Sequence, residues 1–198
     1  MTRLICLCGY RRAGKDYVAD KFVKLFDHRK IAIATKLKES LQILFNFSDD
    51  QLHGMKKDEV DPKWHITPRR VMEYFGTEMM QHQIQHILPH IHNSFWIQSC
   101  LPDIAKSLQN SNVVISDLRF EHEIEYLKKS FPNVIIIRIS NPHVSLSSNH
   151  ISETSCDTFK NDFVITNDPT KDEMFLDEQI ASIIIKKSIK DCYGYTIN

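Results

Sequence analysis

One segment restricts this chain more than any other. Residues Arg3–Cys8 form a short apolar run that stops at Gly9, and Gly9-Tyr10-Arg11-Arg12-Ala13-Gly14-Lys15-Asp16 follows at once. The GxxxxGK spacing opens a helix-like stretch, Lys15 to Phe26, with Val18, Phe22, Val23 and Phe26 at helical spacing. A strand, a glycine loop and a helix in that order form an anion cradle. The glycines let the backbone wrap phosphate oxygens, amides at the helix N-terminus point at the charge, and Lys15 adds a cation. Asp16 stands where such loops usually carry Ser or Thr. A carboxylate there can ligate Mg²⁺ and repels phosphate without it, so the loop predicts metal dependence.

The remaining chain alternates short apolar runs with helical stretches. Strands are expected at Ile31–Ala34, Val113–Ser116, Val134–Ile139 and Phe163–Thr166. Helices are expected at Lys36–Phe45, Phe95–Leu108, Glu121–Lys129 and Lys171–Ile189, and Ser48–Trp64 reads as a loop. Thr67-Pro68, an N-cap residue followed by Pro at N1, starts a helix that breaks near Gly76 or runs to Leu88. No hairpin dipeptides separate the strands, which implies parallel pairing through helical crossovers. The expected fold is α/β, with helices on both faces of about five parallel strands, and one domain spans 1–198.

Composition narrows the function classes. The chain has 198 residues, with Lys+Arg 25 against Asp+Glu 25. Zero net charge argues against a broad nucleic-acid footprint and leaves room for a local basic cleft. The longest apolar runs, Val134–Ile137 and Ala181–Ile185, are too short to span a bilayer. The N-terminus lacks the long apolar core and cleavage site of a signal peptide. Five scattered cysteines without CxxC argue against disulfide or zinc scaffolds and fit a reducing compartment. His82, His86 and His90 fall at i, i+4 and i+8, but no carboxylate or Cys completes a metal set, so they read as a polar helix face.

Five segments in order resemble the deoxynucleoside monophosphate kinases of phages and large DNA viruses, P-loop kinases related to animal-type phosphomevalonate kinase. They are Arg11-Arg12-Ala13-Gly14-Lys15-Asp16; Thr67-Pro68-Arg69-Arg70-Val71-Met72 with Gly76-Thr77-Glu78; Ser94-Phe95-Trp96; Val114 to Phe120 with Glu123; and His150-Ile151-Ser152-Glu153 with Asp162 to Asp168. The resemblance implies a three-layer α/β/α P-loop NTPase fold of the nucleoside monophosphate kinase type, with an acceptor-binding helical region at about 36–108 and a short lid at about 140–160, and it implies transfer of the ATP γ-phosphoryl to a deoxynucleoside monophosphate, with Mg²⁺. Lys15, Arg70, Arg119 and Asp117 would be catalytic. Arg11, Arg12, Gly14, Lys15, Asp16, Tyr17 and Asn167 would hold ATP. Lys38, Arg69, Arg70, Gly76, Thr77, Trp96, Asp117, Arg119 and Glu123 would hold the acceptor, and Asp16 and Asp117 the metal. The Arg-Arg/Gly-Thr helix favours this branch over phosphomevalonate kinase. A guanine switch would carry NKxD, and Ile165-Thr166-Asn167-Asp168 lacks its Lys. Intact Gly9, Gly14 and Lys15 argue against a degenerate loop. Family members often carry Arg before the Pro after the fourth strand, where Asn141 stands, which shifts lid charge onto Arg11 and Arg12. The implied partners are small-molecule nucleotides, with neither nucleic acid nor membrane; a homodimer is left open. The implied location is cytoplasmic, in host cytoplasm for a viral chain.

Overall fold

A computed structural model describes residues 3–144 and 160–193. The segment His150 to Glu153, and most of the expected lid, lies outside the described residues. Five parallel strands form one sheet in the order β2-β3-β1-β4-β5: β1 Leu4–Cys8, β2 His28–Ile31, β3 Asn112–Ile115, β4 Ile135–Ser140 and β5 Phe163–Thr166. The expected strand count, pairing sense and α/β class are therefore observed. Helices α1 Lys15–Phe26, α2 Ala34–Phe45, α3 Asp49–Leu52, α4 Pro68–Glu73, α5 Phe95–Leu108, α6 Glu121–Ser130 and α7 Glu173–Tyr193 complete the frame. No described helix is long and apolar enough to cross a membrane.

The period of two along β1 builds the layers. Leu4, Cys6 and Cys8 face one core, with Ile97, Cys100 and Ile104 of α5 and Ile124 and Leu127 of α6. Ile5 and Leu7 face the other, with Val18, Ala19 and Phe22 of α1 and Leu176, Ile180 and Ile183 of α7. Both faces are covered, so β1 carries no polar side chain. Lys21, only 6% exposed, ties α1 to α7 through Glu173 at 3.0 Å and Asp177 at 3.0 Å. A buried ammonium needs such partners.

Three expectations shift. The second strand is His28–Ile31 instead of Ile31–Ala34. Asp27, at φ 51, ends α1 in the left-handed conformation and sends the chain directly into the sheet. By Ile33 and Ala34 the backbone has left the sheet, and α2 begins. Within Ser48–Trp64, Ser48 caps α3 by accepting from the Gln51 amide, and a 3₁₀ turn covers Met55–Asp58. The helix opened by Thr67-Pro68 changes pitch: α4 passes into a π-helix over Tyr74–His82, then a 3₁₀ turn over Gln83–His86. The satellite core of Leu41, Phe47, Leu52 and Val71 holds this helical excursion together.

Gly9 sits at φ +143, and a Cβ there would run into the carbonyl oxygen of Ile139 on β4. Gly9→Ala combines that backbone clash with a conformation L-residues avoid, so it should cost about 1–3 kcal/mol. Thermal denaturation should show a drop of several °C.

Candidate phosphate-binding site

The strand order places β1 between β3 and β4, and the C-terminal ends of these strands form the crevice where parallel α/β sheets take ligands. A cavity of about 390 Å³ opens there. The loop after β1 supplies its floor. Gly9 and Gly14 have positive φ, as does Arg12 at 64°. Lys15 Nζ donates to the carbonyls of Gly9 and Tyr10, each at 2.8 Å, which pins the ammonium over the loop. Asn167, just past β5, braces the loop from behind: its Nδ2 donates to Ala13 O at 2.9 Å. A Cβ on Gly14 would strike that same amide, so glycine is required for the brace to close. Arg138 of β4 lies over the Tyr10 ring at 5.4 Å.

Asp117 follows β3 and reaches across to α2. Its Oδ1 accepts from Ile33 N at 2.7 Å and its Oδ2 from Ala34 N at 2.9 Å. Both oxygens thus serve amides at the start of α2, where a carboxylate also meets the positive end of the helix. Glu123 does the same one element later. It is 3% exposed, and Oε2 accepts from Arg119 N at 2.8 Å and Phe120 N at 3.0 Å. Burial pushes its carboxyl up to about 7, although the two amides pull the other way.

The cavity wall collects charge. Arg11, Arg12, Lys15, Lys38, Lys57, Arg69 and Arg119 all line it, against the carboxylates Asp16, Glu73, Asp117 and Glu123. Two of those carboxylates are already engaged by backbone. Asp58 bridges the rim, ion-paired with Arg69 and with Arg11 at 3.4 Å. Burial, and then the Lys38 and Arg69 charges, lowers the Lys57 pKa; burial also lowers that of Lys38. Cations that depress one another favour an anion among them. Asp16 lines the cavity and pairs with Lys30 at 3.0 Å. Desolvation pushes its pKa up, but the Lys30 hydrogen bond and charge outweigh this, so the group stays ionised.

The structure gathers Arg11, Arg12, Lys15, Asp16, Lys38, Arg69, Gly76, Thr77, Trp96, Asp117, Arg119 and Glu123 around one cavity. Arg70 is exposed and stands outside that lining. One residue of helix turns it about 100° from Arg69, and Thr67 Oγ1 fixes the phase by accepting from Arg70 N at 3.2 Å. Gly14 and Asn167 act behind the loop, and Tyr17 lies on the α1 surface with its hydroxyl 3.5 Å from Glu173. Trp96 is 7% exposed and donates to Gly76 O at 2.7 Å, so it is both core and cavity wall. Among the described residues no group of three His, Cys, Asp or Glu side chains is placed to hold a metal. Sequence reading passed over Lys57, Glu73, Gln81 and Ser116. Ser116 was findable, lying between a buried strand and Asp117; Lys57 sits in a polar stretch that carries no pattern.

The family model described as deoxynucleotide monophosphate kinase matches residues 53–177. A protein of Acanthamoeba polyphaga mimivirus, provisionally named a deoxynucleotide monophosphate kinase, is 28% identical over 188 residues, covering 91% of this chain and 95% of its own. Among solved structures, TT1252 from Thermus thermophilus aligns at TM-score 0.50 and 10% identity, over 94% of this chain and 97% of its own. The dephospho-CoA kinase from Campylobacter jejuni aligns at TM-score 0.49 and 15% identity, over 96% of this chain and 100% of its own.

Two expectations test the local design. Asp117→Asn leaves one acceptor oxygen for two amides and puts a donor against the other. It should cost about 1–3 kcal/mol in denaturant unfolding in metal-free buffer. Glu123 supplies a pH signature. Its folded pKa of about 7 lies above the ordinary carboxylate value of about 4.3. Between these values the folded state keeps a proton that the unfolded state releases. Stability therefore falls as pH rises through that window, by an amount on the order of 3 kcal/mol. Glu123→Gln keeps an acceptor oxygen and cannot ionise. Wild type should lose more stability than this variant between pH 5 and pH 8; parallel losses would contradict the raised pKa.

Proposed function

Because the chain belongs to the deoxynucleotide monophosphate kinase family, we propose that it transfers the γ-phosphoryl group of ATP to a deoxynucleoside monophosphate, giving the diphosphate. The observation that carries this reading is the cavity itself. Seven basic side chains converge on a glycine loop at the end of β1, in a chain of zero net charge. Two anionic substrates meeting head-on need such a concentration, because the reaction asks the protein for position and charge rather than for a covalent intermediate.

The residues divide the work by element. The loop from Gly9 to Lys15 and the start of α1 form the donor end, where backbone amides and the pinned Lys15 ammonium meet the ATP phosphates. Arg11 and Arg12 extend that charge over the rim. Lys38, Lys57 and Arg69, from the helical excursion, and Arg119, from the turn before α6, form the acceptor end. Forked guanidinium groups suit a phosphate dianion. Trp96, Phe120, Leu37 and Met72 give the same cavity apolar walls.

The donor set around the loop also fits a hard divalent cation. Asp16 is an ionised carboxylate in the lining, and the buried Ser116 hydroxyl in the same lining lies close enough to help hold its pKa down. These two would hold Mg²⁺ against the ATP phosphates, while Asp117, its oxygens committed to α2, would act as a positioning residue. When bound, Mg²⁺ supplies charge neutralisation on the transferring group. The partners in this reading are the two nucleotides alone.

The test is an assay of the purified protein with ATP-Mg²⁺ and a panel of deoxynucleoside monophosphates, with phosphomevalonate as the competing acceptor. Deoxynucleoside diphosphates should appear. Diphosphomevalonate alone, or no transfer, would overturn the proposal. Lys15→Ala should lower kcat by roughly 10³-fold or more with the fold intact. Arg69→Ala should raise the monophosphate KM about 10- to 100-fold, the loss of one charge-assisted contact. Arg70→Ala, outside the cavity, should stay close to wild type.

A further inference from the structure

The acceptor end of the cavity holds a polar side chain that the phosphates do not account for. Gln81 is 4% exposed and lines the cavity. Its main-chain carbonyl accepts from Gln85 Nε2 at 2.7 Å, but its side-chain amide makes no hydrogen bond to any described residue. Thr77 is 6% exposed, lines the same cavity, and its hydroxyl is likewise without a described partner. Their polar atoms are without a protein partner on the wall of the open cavity, so a ligand seated there can pair with them.

Their placement has a structural cause. Glu73, Thr77 and Gln81 are spaced by four residues, and all three reach the cavity. Four residues in an α-helix overshoot a full turn by about 40°, so a third member would drift off the row by about 80°. The wider turn of the π-helix over Tyr74–His82 drifts by a similar amount in the opposite sense, so the three side chains fan across one broad face of the segment that lines the cavity. Trp96 locks this segment through its bond to Gly76 O, and Gly76 packs so closely that a Cβ would lie 2.9 Å from Leu37 Cδ2. Apolar and aromatic side chains thus flank a row of hydrogen-bonding groups. Such a slot matches a flat heteroaromatic ring with donors and acceptors along its edge.

Resting on the phosphoryl-transfer reading, we propose that Gln81, with Thr77 beside it, reads the hydrogen-bonding edge of the acceptor nucleobase and sets which base this enzyme takes. The amide offers a donor and an acceptor side by side, which pairs with a base edge presenting the complementary two. A site of this kind selects strongly, because a base lacking the matching edge leaves the amide unpaired in the complex.

The test compares wild type, Gln81→Leu and Thr77→Val. Each replacement removes polar atoms at similar volume, so the ligand-free variants should unfold at or above the wild-type temperature. For each protein, kcat/KM is measured with the four deoxynucleoside monophosphates and with the deoxyribonucleotide of unsubstituted purine, which lacks exocyclic groups. Gln81→Leu should lower kcat/KM for the preferred base about 10- to 100-fold, change the unsubstituted purine little, and leave the ATP KM as it was. The spread among bases should narrow accordingly, and Thr77→Val should narrow it in the same sense by less. An equal loss on every acceptor, or an unchanged ranking of bases, would overturn the proposal. A wild-type protein that transfers to none of these acceptors would instead overturn the reading on which it rests.

Discussion

The geometry of this site hangs on a carboxylate in its wall whose two oxygens are spent on backbone amides. Asp117 joins the end of β3 to the first amides of α2, and this bridge sets where the helical excursion sits relative to the glycine loop. From α2 the placement passes on by contact. Leu37 receives Gly76, Gly76 O receives the Trp96 indole, and Trp96 closes the wall that α5 brings to the sheet. Each step is a close fit between side chain and backbone, and such fits tolerate little slack. The donor and acceptor ends of the cavity are therefore rigidly related through the sheet, although they come from distant parts of the chain.

Electrostatics complements this frame. Two carboxylates here work mainly on backbone: the half-buried Asp117 on α2 and the buried Glu123 on the turn into α6. Amides take up the charge of Asp117, and burial keeps Glu123 partly protonated near neutral pH, so the cations around them keep a net attraction for anions. Repulsion among Lys38, Lys57 and Arg69 is held in place by packing and by Asp58 at the rim. A site preorganised in this way needs little rearrangement when charge arrives, which is the main route by which proteins stabilise phosphoryl transfer.

Legibility in the sequence followed the range of the interaction. The loop at Gly9–Lys15, the strand at Phe163–Thr166 and the helix at Phe95–Leu108 were readable because period, caps and glycines are local signals. The second strand was misplaced because Ile33 is buried without being in the sheet. Its amide is claimed by a residue 84 positions away, and no local pattern records that. The choice between Arg69 and Arg70 is a matter of helix phase, fixed by the Thr67 cap. The π-helix carries no composition of its own, so Gln81 looked like one more polar residue among the histidines of that stretch. Motif order identified the family where local pattern could not identify individual roles.

The brace behind the glycine loop has a consequence in time. Asn167 reaches Ala13 across 154 positions, Lys21 reaches Glu173 across 152, and Gln179 of α7 holds both the amide and the carbonyl of Thr166. A ribosome adding about 5–20 residues per second delivers the loop within the first seconds and its brace on the order of ten seconds or more later. During that interval the most anion-hungry segment of the protein is present without the contacts that shape it. Asn167 and α7 leave the ribosome after β1, β3 and β4, so the brace on the loop can close only when those later segments arrive.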